Sequence, residues 1–390
     1  MYQTERDVLE LIKRNNIEVV STLPCEKLSA LLRLVADERA FCHVGLNREE
    51  NGVGISAGVS LAGGRPLMII QSTGLGNSLT ALMSLTVTYG LPLPIIASWR
   101  GVYKEQIEAQ VPFGKALPGV LDALGLNYTL IEDSSQIGLV DDAIQDAFAH
   151  ERPHIALISP RTWGSDEVSK ENTGPHRKRS FTVTYEGEYQ EPEMRRYDAI
   201  RIITEYLDEE AVIANIGVPS KELYAAQDRA LNFYMLGSLG QASSIGLGVA
   251  LKTNKPLQGF RGQRGGALLR ETVVLDGDGS LLMSDILPVV GEQKPKNLSI
   301  ICLDNGTWGS TGDQPVAFAG DIALMAIGAG MENTMKIYRE EELRHALEGL
   351  YEKAGPRFLQ VVIKPGNAPI RNIPLSASQI KRRFMAALLP

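Results

Sequence analysis

Short apolar runs alternate along most of the chain with segments whose apolar residues recur three and four apart. The runs at 18–23, 40–44, 67–71, 95–98, 128–131 and 154–158 are brief and rich in Val, Ile and Leu, as strands buried on both faces are. Between them the spacing is helical; in the opening segment Val8, Leu9, Leu11 and Ile12 line one side of a helix. The alternation resumes at 211–214, 272–275, 298–303, 334–337 and 358–363. Strands separated by helices predict an α/β fold, and two such series predict two doubly wound, parallel-sheet domains. From 159 to about 194 the pattern fails and polar residues dominate, including a basic run at 176–179. We therefore expect domains at 1–165 and 195–390 joined by a linker at 166–194. A second aperiodic stretch, 253–270, carries Gly and Arg and predicts a loop. No repeat is visible in the sequence itself.

A chain of 390 residues is long enough for both domains to bury sizeable cores. Its net charge of −7 argues against a nucleic-acid binder. No apolar stretch is long enough to cross a membrane, and the first residues do not read as a signal peptide, so a cytoplasmic protein is expected. Cys25, Cys42 and Cys302 are isolated, without CxxC spacing, and read as free thiols.

The candidate chemistry is densest at 273–311. Gly277-Asp278-Gly279 closes one predicted strand, and Asn305 lies 27 residues after Asp278 at the end of the next. A crossover of that kind puts both side chains on one edge of a parallel sheet, where α/β proteins bind ligands. An acid, an amide and nearby carbonyls are hard oxygen donors suited to Mg²⁺ shared with a diphosphate. The Gly-Asp-Gly triplet, 24 intervening residues and an Asn-Asn-like pair together resemble the metal–diphosphate motif of thiamine diphosphate enzymes. That resemblance implies Asp278, Asn305 and Thr307 as the Mg²⁺ set, with Gly277, Gly279 and Ser280 beside the diphosphate. Asp304 departs from the family, which has Asn at the first position of the pair.

Two further motifs stand in the order that this family has. The run Glu50-Asn51-Gly52-Val53-Gly54-Ile55-Ser56-Ala57-Gly58 follows a predicted strand and opens a helix of small residues, so something packs closely against it. Taken alone, acids at a helix start do no more than complement the helix dipole. The run nevertheless resembles the pyrimidine-binding domain of the acetolactate synthase and pyruvate decarboxylase group. By that match Glu50 faces N1′ of the cofactor's aminopyrimidine; Glu49 is the competing candidate, and the glycine register favours Glu50. Downstream, Gly237-Ser238-Leu239-Gly240 resembles the turn over which thiamine diphosphate bends, with Leu239 as the wedge and the Gly237 carbonyl accepting from the 4′-amino group.

Together with LPCEK (23–27), QSTGLGNSL (71–79), SWRG (98–101) and DNGTWGSTGDQ (304–314), these motifs look like those of sulfopyruvate decarboxylase and its relative phosphonopyruvate decarboxylase. In that family the two halves are often separate α and β subunits; here they look fused. The resemblance implies a carboxy-lyase that needs thiamine diphosphate and Mg²⁺ and converts 3-sulfopyruvate to sulfoacetaldehyde and CO₂, for coenzyme M synthesis. Phosphonopyruvate is the alternative substrate, and a thiamine diphosphate-binding protein without turnover is the alternative of another class. It also implies a homo-oligomer with active sites between chains. A substrate with two anionic groups needs cations or dipoles, for which Arg100, Lys27 and Asn77 are candidates, while Gly74 in the same turn as Asn77 is placed at the cofactor.

Overall fold

The structure, a computed structural model, describes residues 3–163, 189–254 and 270–389. Most of the expected linker, its basic run, and most of the 253–270 loop lie outside the described residues. In the first domain the strands are β1 (Val19–Thr22), β2 (Cys42–Gly45), β3 (Pro66–Gln71), β4 (Leu93–Ser98), β5 (Asn127–Ile131) and β6 (Pro153–Ile158). They form one parallel sheet in the order β2-β1-β3-β4-β6-β5. The second domain contains β7 (Ala211–Ala214), β8 (Asn232–Tyr234), β9 (Thr272–Gly277), β10 (Leu298–Asp304), a small antiparallel hairpin of β11 (Thr307–Trp308) and β12 (Gln314–Pro315), then β13 (Asn333–Ile337) and β14 (Arg357–Val362). Its parallel sheet runs β8-β7-β9-β10-β14-β13. Set aside the hairpin, and the two sheets have the same strand order.

The runs in the sequence lack polar alternation because helices cover both faces of each sheet; every residue of β4, β6, β7 and β14 is buried. The opening helix, Gln3–Arg14, buries Val8, Leu9 and Ile12 as its spacing predicts. Strand β8 is absent from the sequence-based expectation. At three residues, Asn232-Phe233-Tyr234, it is too short to show a period.

The domains meet through two equivalent helices, Glu49–Leu61 after β2 and Ala242–Thr253 after β8. Glycine inside a helix costs up to about 1 kcal/mol relative to alanine. It is tolerated here because the two backbones nearly touch. A Cβ on Gly58 would lie 2.0 Å from the Ile245 carbonyl oxygen, and one on Gly248 would lie 2.0 Å from that of Ile55. Gly54 meets Gln241 and Ser244 while Gly58 meets Ile245, so the helices run parallel with their N-termini together. The C-terminal helix, Ala377–Leu388, adds a second tie: Lys381 donates to the Gly90 carbonyl, and Phe384 packs on Phe233. One continuous apolar core spans both domains.

Candidate active site

The carboxyl ends of β7, β9 and β10 surround a cavity of ≈ 240 Å³. Connections leave β7 and β9 in opposite directions across the sheet, and ligands bind α/β sheets at such a switch point. β9 stops at Gly277, and Asp278 opens the short helix Asp278–Leu282. Asp278 is buried, its Oδ2 has no hydrogen-bond partner, and burial together with the charge of Asp304 pushes its pKa up to about 7. An orphaned carboxylate oxygen beside a second carboxylate is a place that a cation satisfies. Asn305 follows β10, and its Oδ1 accepts from the Thr307 amide at 3.2 Å. Thr307 spends its hydroxyl on Asp313 at 3.1 Å, which leaves the carbonyl as its donor. Asp304 is tied into the scaffold: its oxygens accept from the Gly306 amide at 3.1 Å and from Gln360 Nε2 at 2.6 Å. Among the described residues no group of three or more His, Cys, Asp and Glu could hold a metal. Asp278 and Asn305 supply two oxygen side chains, which suits Mg²⁺ because it takes its remaining ligands from phosphate and water. No Cβ fits at Gly279, where it would lie 2.6 Å from the Trp308 ring.

Leu239 stands on the rim of this cavity and is 40% exposed. Its turn is held from several directions. Ser238 adopts a left-handed backbone (φ 63°), and its hydroxyl meets that of Ser84, from the first domain, at 2.6 Å. A Cβ at Gly237 would lie 2.9 Å from the Ser84 carbonyl oxygen. The Gly240 amide donates to Ser280 Oγ at 3.2 Å, joining the turn to the Asp278 loop. The turn thus presents Leu239 to solvent at the mouth of the cavity.

Glu50 lies one helical turn before Gly54 and so shares the face that packs on Gln241, the residue just after the turn. Its Oε2 accepts from Arg48 Nε at 2.6 Å, and its side chain is 21% exposed. Glu49, one residue earlier, has different neighbours. It is buried, accepts from Asn77 Nδ2 at 3.1 Å, and fills the space where a Cβ on Gly74 would stand. Glu50 and Glu49 thus both stand at the start of this helix, Glu50 paired with Arg48 and Glu49 buried against Gly74 and Asn77. Gly74 and Asn77, expected at cofactor and substrate, pack on Glu49, the competing candidate for the acid.

Arg100, expected at the substrate, is paired within the chain. Its Nε and Nη2 each donate to Glu105 at 2.7 Å, its side chain is buried, and the bond from Arg100 holds the Glu105 carboxyl down at about 2. The fork read as a sulfonate anchor is thus engaged within the chain. Lys27 and Arg100 do border one cavity at the carboxyl edge of the first sheet, but the cavity lined by Asp278 is a different one. Within one chain the Glu50 helix packs, at Gly54, on Gln241 just after the Leu239 turn. Sequence reasoning missed Arg196, Asn215 and Trp308 in the cavity wall. Asn215 could have been found, since it directly follows the first strand of its domain; Arg196 carries no such signal.

Comparison with known proteins extends over the same regions. The family model "Thiamine pyrophosphate enzyme, N-terminal TPP binding domain" matches residues 3–125, and its C-terminal counterpart matches 216–361. The chain is 44% identical to sulfopyruvate decarboxylase of Methanosarcina acetivorans over 98% of this chain and 97% of that one. Phosphonopyruvate decarboxylase of Streptomyces viridochromogenes is 30% identical over 95% of this chain and 91% of its own. The two sulfopyruvate decarboxylase subunits of Methanococcus maripaludis align with separate parts of the chain. The beta subunit is 36% identical over 50% of this chain and 98% of its own, and the alpha subunit 31% over 41% and 96%. Among solved structures, a Mycobacterium smegmatis protein described as a thiamin diphosphate-dependent enzyme superposes with a TM-score of 0.69 at 14% identity. That alignment covers 94% of this chain and 100% of the other, and it speaks for the fold.

Proposed function

The chain belongs to the thiamine pyrophosphate enzymes, in the family of sulfopyruvate decarboxylase, and from that membership we propose that it decarboxylates 3-sulfopyruvate to sulfoacetaldehyde and CO₂ with thiamine diphosphate and Mg²⁺. In this reading it is a cytoplasmic homo-oligomer whose product feeds coenzyme M synthesis. The observation that carries the proposal is the placement of one turn. Residues 237–241 are bonded to the Asp278 loop on one side, and Gln241 packs at Gly54 of the helix that Glu50 helps to open on the other.

Bound thiamine diphosphate supplies a nucleophilic carbon for the keto group and an electron sink for the pair released with CO₂. The rest belongs to the chain. Asp278 and Asn305 would hold Mg²⁺, with the carbonyl of Thr307 as a further oxygen donor. Leu239 would support the cofactor from its turn. Glu50 holds and exchanges a proton at N1′, from a helix start that the second domain partly screens from water. Arg48, at 2.6 Å, keeps that carboxylate aimed until a ligand replaces it.

Release of CO₂ from sulfopyruvate and from phosphonopyruvate, each with and without thiamine diphosphate and Mg²⁺, tests the proposal. Cofactor-dependent release that prefers sulfopyruvate is expected. Preference for phosphonopyruvate would move the substrate to the second reading, which the 30% identical Streptomyces relative keeps in view. Silence on both acids, with the cofactor bound, would overturn the substrate reading.

A further inference from the structure

Arg196 opens the helix Arg196–Glu205 and is buried, yet it lines the cavity that holds Asp278 and Asn305. Two of its three guanidinium nitrogens are committed. Nε donates to Glu222 Oε2 at 2.7 Å, and Nη2 donates to Glu222 Oε1 at 3.2 Å and to Asn367 Oδ1 at 2.7 Å. Glu222 is fully buried behind the guanidinium and also accepts from the Ala368 amide at 3.1 Å. Asn367 in turn donates to the Gly309 carbonyl at 2.6 Å, so the same network braces the loop that carries Asn305. Among the described residues Nη1 has no hydrogen-bond partner. It lies 3.5 Å from where a Cβ on Gly309 would be, in the wall of the cavity.

Charge gives this free arm a purpose. Among the described residues lining the cavity, Arg196 is the one basic side chain and Asp278 the one acid. A divalent cation shared between Asp278 and a diphosphate leaves the diphosphate under-neutralised. A guanidinium cannot shed its proton, and one already forked onto a buried carboxylate can offer its remaining arm without losing further side-chain freedom. We propose that Arg196 binds the diphosphate, donating from Nη1 to its terminal phosphate while Glu222 and Asn367 hold the plane of the guanidinium. The proposal rests on the thiamine diphosphate reading above.

Equilibrium binding of inorganic pyrophosphate with Mg²⁺, and of thiamine diphosphate with Mg²⁺, to the full chain tests it. Replacing Arg196 alone by Gln would strand Glu222, so the main variant is Arg196→Gln with Glu222→Gln, which exchanges the ion pair for a neutral hydrogen-bonded one. Arg196→Lys is the second variant: its single ammonium stays with Glu222 and has no second arm. With the melting temperature near that of the wild type, both ligands should bind at least ~10-fold more weakly to the double variant, the scale of one charge-assisted hydrogen bond. The Arg196→Lys chain should bind them more weakly than wild type and more tightly than the double variant. Wild-type affinity for Mg²⁺–pyrophosphate in a folded double variant overturns the role of Arg196. If that variant does not fold, wild-type affinity in Arg196→Lys does the same. A wild-type chain that binds neither ligand would instead sink the cofactor reading on which the proposal stands.

Discussion

Glu49 and Glu50 are neighbours at the start of one helix with different partners, Asn77 and Arg48, so each can be tested against the other. Glu50→Gln should keep thiamine diphosphate bound and lower turnover at least ~100-fold, the usual scale for a lost acid–base group. Glu49→Gln can still accept from Asn77 through its amide oxygen and should cost far less turnover. Steady-state rates beside cofactor-binding isotherms decide between them, and the reverse order would hand the assignment to Glu49. The close neighbour of this helix was legible in its glycines, because helical periodicity puts Gly54 and Gly58 on one face, and both meet the second domain. The partner of Arg100 was not legible, because Glu105 sits five residues on in an aperiodic loop, where no period pairs side chains. That pair predicts its own pH dependence. The Glu105 carboxyl is held at about 2, below its ordinary 4.5, so the pair stabilises the fold above pH 4.5 and loses that contribution as pH falls toward 2. Glu105→Gln should therefore be less stable by about 3 kcal/mol near neutral pH, with the gap closing through that acid window in urea-unfolding curves. A gap that stays constant down to pH 3 would mean that the carboxylate charge is not what matters.

At the scale of elements, the two glycine-rich helices are the feature that the sequence half revealed. Their small residues announce a close neighbour, but no periodicity names which helix it is. The structure supplies the partner and with it a contrast between two glycines. Gly58→Ala puts a methyl 2.0 Å from a carbonyl oxygen of the facing helix, where backbone rather than a flexible side chain must yield. Overpacking of that kind costs about 1–3 kcal/mol or more. Gly119, inside the helix Val111–Leu124, has nothing within 4 Å of the same position. Gly119→Ala should stabilise by about 0.5–1 kcal/mol through helix propensity alone. Urea midpoints of the two variants should move in opposite directions. Gly58→Ala should also weaken thiamine diphosphate binding, because the same crossing carries the Leu239 turn toward Glu50, whereas Gly119→Ala should leave it unchanged. If both glycines tolerate alanine equally, the helix crossing is looser than its geometry states.

The whole molecule is two sheets of one topology whose sequences show no repeat, since a buried strand needs only apolar residues and any Val, Ile or Leu will do. What the sequence could not state is how the sheets dock, because docking depends on surface shape between segments some 190 residues apart. The observed contact packs the Glu50 helix, at Gly54, on Gln241 just after the Leu239 turn inside one chain, and the C-terminal helix, seated on Phe233 of its own domain through Phe384, reaches the first domain through Lys381. If those contacts suffice, the covalent connection between the domains supplies proximity rather than structure. Methanococcus maripaludis carries the corresponding parts as two subunits, which fits that view. We therefore expect polypeptides 1–163 and 189–390, produced together, to copurify and to release CO₂ with the cofactor requirement of the intact chain. Cutting a connection turns an intramolecular contact into a bimolecular one and removes an effective concentration on the order of millimolar. The paired fragments should consequently lose activity per site on dilution, while the intact chain holds its rate over the same range. Equal dilution behaviour would mean that the domain contact is tighter than the connection and indifferent to it. Fragments that never associate, at any concentration, would show that the docking seen within one chain does not build the site, and would return its assembly to a contact between chains.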